Sequence, residues 1–124
     1  MEANRERIAG EKSNGLAWIG QAISGVLLLG LLGLHMIAHH FIVEGGLRDY
    51  AAVMDYIGNP LVFVIELVFL VVVTYHALLG IRAIIFDLGL KPAQERLVTR
   101  LLVVVGLATV AWGVYLAAAL FSRA

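Results

Sequence analysis

Four imidazoles and one carboxylate lie within the apolar stretches of this chain: His35, His39, His40, His76 and Glu66. An ionisable side chain at membrane depth must face a protein interior and find a partner, which makes it a functional candidate. The bland alternative is a neutral imidazole that hydrogen-bonds a neighbouring helix. Two such histidines in separate apolar runs weigh towards function, and the commonest chemistry open to them is axial ligation of haem iron.

Helical spacing sharpens the candidates. At about 100° per residue, Gly80, Ala83 and Asp87 fall within about 40° of His76, so the face bearing that imidazole is cleared of bulk for two turns. Small residues of this kind serve close helix packing, and they equally leave a flat slot beside the ring that a macrocycle needs. Counted from His35, Ser24 returns within about 20° and Gln21 and His39 within about 40°, whereas His40 points away. His39 and His40 are therefore reserve ligands.

Depth separates His35 from His76. At 1.5 Å per residue, His35 lies roughly 25 Å beyond Trp18 and His76 about 15 Å from Phe86, measured from the same side. Axial ligands of one iron sit across it, so with a gap of about 10 Å the two histidines, if both bind haem, bind different haems. Each iron then needs a second ligand from another chain. Glu66 falls near the depth of His35; an interfacial position is the expectation, a hydrogen bond to His35 or a part in proton movement the alternative. Arg82 either snorkels to the interface or pairs with Asp87 or a haem propionate.

The elements that must position these groups are apolar helices. Of 124 residues, 61% are hydrophobic and 15% charged, against about a quarter charged in soluble domains. The class is an all-α integral membrane protein forming a single transmembrane domain over 1–124. Three apolar runs, Leu16 to Val43, Leu61 to Phe86 and Leu101 to Phe121, each reach the roughly 20 residues that cross a bilayer core. Three strands cannot close a barrel, so the spans are helices. "MEANRERIAGEKSNG" reads as a solvated tail rather than a signal peptide. Pro60 suits the first turn of span two, and "LRDYAAVMDYI" before it reads as a short interfacial helix.

Composition also excludes. There is no cysteine, which removes disulfides, zinc thiolates and cysteine-ligated iron–sulfur clusters. A formal net charge of zero argues against a nucleic-acid partner. Orientation follows from the basic residues. Arg5, Arg7 and Lys12 precede span one and Arg82, Lys91, Arg96 and Arg100 surround the second connection, while Arg48 and Arg123 are the basic residues of the other side. That bias places the N-terminus in the cytoplasm.

Taken together, "QAISGVLLLGLLGLHMIAHHF" and "HALLGIRAIIFDLG" resemble the first and second spans of the small membrane anchors of succinate dehydrogenase. In those anchors a Ser/Thr-Gly pair precedes an intramembrane histidine by about three turns. A second histidine is then followed by Gly four on and Asp eleven on. The resemblance covers all three spans and the "EGGLRDYAAVMDYIGNP" connection.

It implies a multi-pass C- or D-type anchor in the cytoplasmic membrane of a prokaryote, paired with a second anchor into a haem-holding bundle. A flavoprotein subunit and an iron–sulfur subunit dock on it, surrounded by lipid, and a trimer of the whole complex is one assembly open to it. Haem b, two, one or none by subgroup, is shared with the partner anchor. His76 matches the inner-haem ligand and His35 the outer.

Quinone is the substrate that the resemblance implies, near the inner ends of spans one and two beside Ser24, Gln21, Trp18 and Asp87. Ala22 stands where many anchors carry an arginine, and Leu88 where some carry a tyrosine, so the partner anchor is expected to supply most quinone contacts. The competing readings are an anchor of fumarate reductase, a haem-free structural anchor, and a histidine-lined metal carrier. The last is disfavoured by the depth gap and by the lack of acidic or thiol ligands next to the histidines.

Overall fold

The computed structural model describes residues 1–42, 45 and 49–124, together with all side chains of these except Ser13 and Ile42. It is helical throughout its described length apart from short turns. The helices are α1 (Glu2–Ile37), continued by a π-helical turn (Ala38–Ile42), then α2 (Tyr50–Gly58), α3 (Pro60–Phe86) and α4 (Pro92–Phe121). Three of them, Glu2–Phe41, Pro60–Phe86 and Pro92–Phe121, are long and apolar enough to cross a membrane. The protein is an all-α integral membrane protein.

Local chemistry sets the boundaries. The Asp49 carboxylate accepts from Ala52 N at 2.8 Å and starts α2. Asn59 Oδ1 accepts from Leu61 N at 2.9 Å, and Pro60 occupies the first turn of α3, where its missing N–H costs nothing. Gly89, at φ +75°, turns the chain out of α3 through a conformation that side chains with a Cβ resist. At the start of α4, Gln94 Oε1 accepts from Lys91 N at 2.9 Å.

Two of these boundaries correct the sequence reading. The N-terminal segment is solvated as expected, but it is helix rather than tail, continuous with span one. Its glutamates and arginines are good helix formers, and Glu2 and Arg5, or Arg7 and Glu11, stand at spacings that pair on a helix surface. The π-helical turn over Ala38–Ile42 was not signalled by the apolar pattern. Such a turn inserts a residue and re-aims those after it. Val43 and Arg48, which entered the expected end of span one and the orientation argument, lie outside the described residues.

The spans lie in a row. α3 packs against α1 on one side and α4 on the other, α1 and α4 make no contact with each other, and α2 lies across the ends of α3 and α4. Only Ile57 and Ser24 are buried among the described residues. Three helices in a row enclose almost nothing, so most of their apolar surface faces lipid or another chain. Close approach of α3 and α4 depends on two glycines of α4. A Cβ at Gly106 would stand 2.6 Å from Leu78 Cδ1, and one at Gly113 would stand 2.5 Å from Leu70 Cδ2.

Because three atoms of Leu70 crowd the position, Gly113→Val is expected to destabilise the α3–α4 pair by about 1–3 kcal/mol. Adding Leu70→Ala should recover part of that loss. Thermal unfolding midpoints in detergent of the two variants and the parent test this, and equal midpoints for all three would refute it.

Candidate functional site

The candidate groups gather into two polar clusters on the α1–α3 seam, at different depths. The first lies towards the chain's N-terminal end. Ser24, 5% exposed, donates its hydroxyl proton to the carbonyl of Gln21 at 3.0 Å. A hydroxyl has one proton. With that proton on the Gln21 carbonyl, the contact of 3.0 Å between Ser24 Oγ and His76 Nδ1 has Nδ1–H as donor and Oγ as acceptor. This selects the tautomer with its lone pair on Nε2, and no hydrogen bond among the described residues occupies that nitrogen.

Small residues let the ring approach. A Cβ on Gly25 would stand 3.2 Å from His76 Cε1, and one on Gly80 would stand 3.3 Å from Gln21 Nε2. The cleared face beside His76 is thus filled at Gly25 and Gly80 by the packing of α1 on α3. Gln21 Oε1 is buried without a hydrogen-bond partner, an unmet acceptor in a place where that is costly.

The second cluster lies towards the opposite end. His35 Nδ1 sits 2.9 Å and 3.2 Å from the two carboxylate oxygens of Glu66. The Tyr56 hydroxyl of α2 donates to Glu66 Oε1 at 2.6 Å. Burial, reinforced by the adjacent Glu66 carboxylate, pushes the Tyr56 phenol far above its ordinary pKa, so it remains a donor at neutral pH. The His39 ring stacks on His35 with centroids 3.9 Å apart, and His39 Nε2 lies 3.6 Å from Glu66 Oε1. Phe69 closes the group, 5.0 Å from His35 between centroids.

Glu66 is partly buried between α1 and α2 as the acceptor for His35 and Tyr56, and the hydrogen bond to His35 is the alternative that the sequence offered for it. This second cluster corrects one expectation: the histidines do not lack an acidic neighbour. His35, His39 and Glu66 offer ligand atoms within 4.8 Å of one another, a donor set that suits a divalent transition metal. The missed signal was Tyr56: ten residues before Glu66 and on another helix, it needed the α2–α3 turn to be known.

The remaining predicted residues are dispersed. Ser24, placed by angle on the face of His35, meets His76 of α3 instead, because Ser24 and His35 share one stripe of α1 at different heights and His76 stands opposite the lower of them. His40 is exposed, as its angle implied. Trp18 is 72% exposed on the outside of the row, and Asp87 is exposed at the C-cap of α3. Arg82 projects about 120° round α3 from His76. It donates from Nε to Thr99 Oγ1 of α4 at 3.2 Å, and its guanidinium lies 4.1 Å from the centre of the Phe86 ring. It has no carboxylate within 4.0 Å among the described residues, Asp87 included.

Comparison with known proteins places this geometry in context. Residues 3–115 match the family model described as succinate dehydrogenase/fumarate reductase transmembrane subunit. The chain is 27% identical over 106 residues to a succinate dehydrogenase hydrophobic membrane anchor subunit of Thermoplasma acidophilum, covering 86% of each chain. It is 31% identical over 101 residues to a protein of the same description from Archaeoglobus fulgidus, covering 82% of this chain and 86% of that one. No solved structure matches it.

Tyr56→Phe removes one donor from a partly buried carboxylate. Hydrogen bonds to charged groups contribute about 1.5–3 kcal/mol, and a loss of that size should appear in the thermal midpoint. The carboxylate stretch of Glu66 should shift in the infrared spectrum, whereas Tyr50→Phe should leave both readouts unchanged. Indistinguishable spectra for Tyr56→Phe and the parent would show that the phenol does not hold Glu66.

Proposed function

The chain belongs to the family of succinate dehydrogenase and fumarate reductase transmembrane subunits, and from that premise we propose that it is a haem b-binding anchor of a succinate:quinone oxidoreductase. The observation that carries the reading is shared by both clusters. His76 and His35 each hold Nδ1 within hydrogen-bond distance of an oxygen on the facing helix, His76 at 3.0 Å from Ser24 Oγ and His35 at 2.9 Å from Glu66 Oε1. Histidines that ligate metals characteristically donate their other ring N–H in this way, which fixes the ring and leaves the second nitrogen as ligand.

In this reading His76 and His35 would hold an inner and an outer haem through Nε2. Haem iron at these positions supplies one-electron transfer between the iron–sulfur subunit and quinone. The residues of this chain supply orientation and basicity. Ser24 is a neutral acceptor and Glu66 a carboxylate, so His35 is the more electron-rich ligand of the two. Arg82 is left out of the haem set because it faces α4. The second ligand of each iron would come from the partner anchor, packed against the histidine-bearing side of the row.

The N-terminal end of the bundle lies in the cytoplasm of a prokaryote, next to the iron–sulfur and flavoprotein subunits. Quinone reaches the complex at that end. Within this chain Gln21 is the best-placed contact, since its buried Oε1 lacks a donor that a quinol hydroxyl would provide. Ser24 has both hydrogen bonds met inside the chain and acts as a positioning residue for His76. This chain performs no succinate chemistry of its own.

His76→Ala and His35→Ala, made in the assembled complex, should each remove a different haem from the reduced-minus-oxidised spectrum and lower the haem-to-protein ratio. Ser24→Ala should retain both haems while changing the midpoint potential of the one ligated by His76. If both histidine variants kept the parent's spectrum and ratio, the chain would be a haem-free structural anchor. Zinc or cobalt bound in place of the outer haem, and lost in His39→Ala, would instead assign the second cluster to a metal ion.

A further inference from the structure

We propose that the side of the bundle facing away from His76 holds an anionic phospholipid, with its phosphate on Arg82. Because the backbones of α1 and α4 stand apart on either side of α3, they leave a groove of about 570 Å³ floored by α3. It runs from Leu16 and Ala17 to Val110, and Leu78, Leu102, Val103 and Leu107 give it apolar walls. The side chains lining it include one charged residue, Arg82, and the hydroxyls of Thr74, Tyr75 and Thr99; no acid lines it.

Arg82 is prepared for an anion. Its Nε is held by Thr99 and its plane rests over Phe86, which fixes the guanidinium and leaves its terminal nitrogens without a carboxylate among the described residues. A planar guanidinium pairs with phosphate through two parallel N–H bonds. More positive charge lies along the same rim. On α4, Arg96 and Arg100 stand seven residues before Val103 and Leu107, within about 20° of the groove-lining stripe.

Cation at one end and hydrocarbon along the rest is the pattern of one molecule, an acyl chain beneath a phosphodiester headgroup. Basic pockets between transmembrane helices near a membrane surface select anionic lipids for this reason. A second protein helix would bury Arg82 against apolar side chains with its charge unmet, which is costly. A neutral lipid would fill the groove but gain nothing from the arginines. The inference concerns a different face from the histidines and does not depend on the haem assignment.

The test uses the assembled complex in detergent, titrated with phosphatidylglycerol or phosphatidylcholine and read by native mass spectrometry. Phosphatidylglycerol should bind in preference, and Arg82→Gln should weaken it about fivefold, the effect of one arginine near a membrane surface. Val103→Phe, which fills the groove at an exposed position, should weaken it too. Should Arg82→Gln fail to assemble, Arg96→Gln with Arg100→Gln must show the same selective loss. Equal binding of the two lipids, or phosphatidylglycerol binding unchanged in all these variants, overturns the proposal. So does a quinone found in the groove.

Discussion

An imidazole inside a bilayer cannot leave its N–H unmet, and the seam between α1 and α3 is arranged around that constraint. An unpaired polar group in hydrocarbon costs several kcal/mol, so His76 and His35 each require an oxygen from across the seam. Ser24 and Glu66 provide them. The two pairs lie at different depths, which pins the helices at two points and so fixes both their rotation and their relative height. Neither apolar contacts, which a small slide would largely preserve, nor small residues alone could do this. Gly25 and Gly80 bring the helices close enough for the bonds to form; the bonds then choose one register among many.

The same constraint divides the chain into a part that is complete and a part that is not. Along the α1–α3 seam most polar atoms are matched, and Ser24 is buried. Elsewhere the row of helices has no interior, and on the seam itself Gln21 Oε1 and His39 Nε2 have no hydrogen-bond partner among the described residues. Those two atoms sit beside the two histidine pairs, where a cofactor, a substrate or another helix would be expected to approach. The unfinished chemistry and the unfinished packing are found in the same places.

The three spans were legible because each needs only length and apolar composition, and Pro60 and Pro92 mark the starts of two of them. The order of the histidines in depth was legible for a similar reason, since rise per residue is nearly constant. Pairing was not. Ser24 lies on the stripe of His35 by angle, yet its partner is His76; angle says which side of a helix a residue occupies and nothing about what stands opposite. Glu66 shows the same limit, because its second partner, Tyr56, arrives on a short helix whose direction depends on the turn at Asn59 and Pro60. The N-terminal segment marks a different limit: a polar composition reads as a solvated tail, whereas alternating acids and bases can sustain a helix in water.

The placement of α3 between two helices that never meet has a consequence for biogenesis. A chain delivered to the bilayer from its N-terminus inserts α1 alone, with Ser24 and His35 briefly facing lipid. Once α3 enters, both polar pairs can close, because neither uses any residue of α4. The last span then docks on a surface already fixed, through Leu70 and Leu78 against its glycines. The interval of greatest exposure therefore ends once α3 has packed, without waiting for α4. A quality-control factor that reads unmet polar groups in the membrane would have only that interval in which to act.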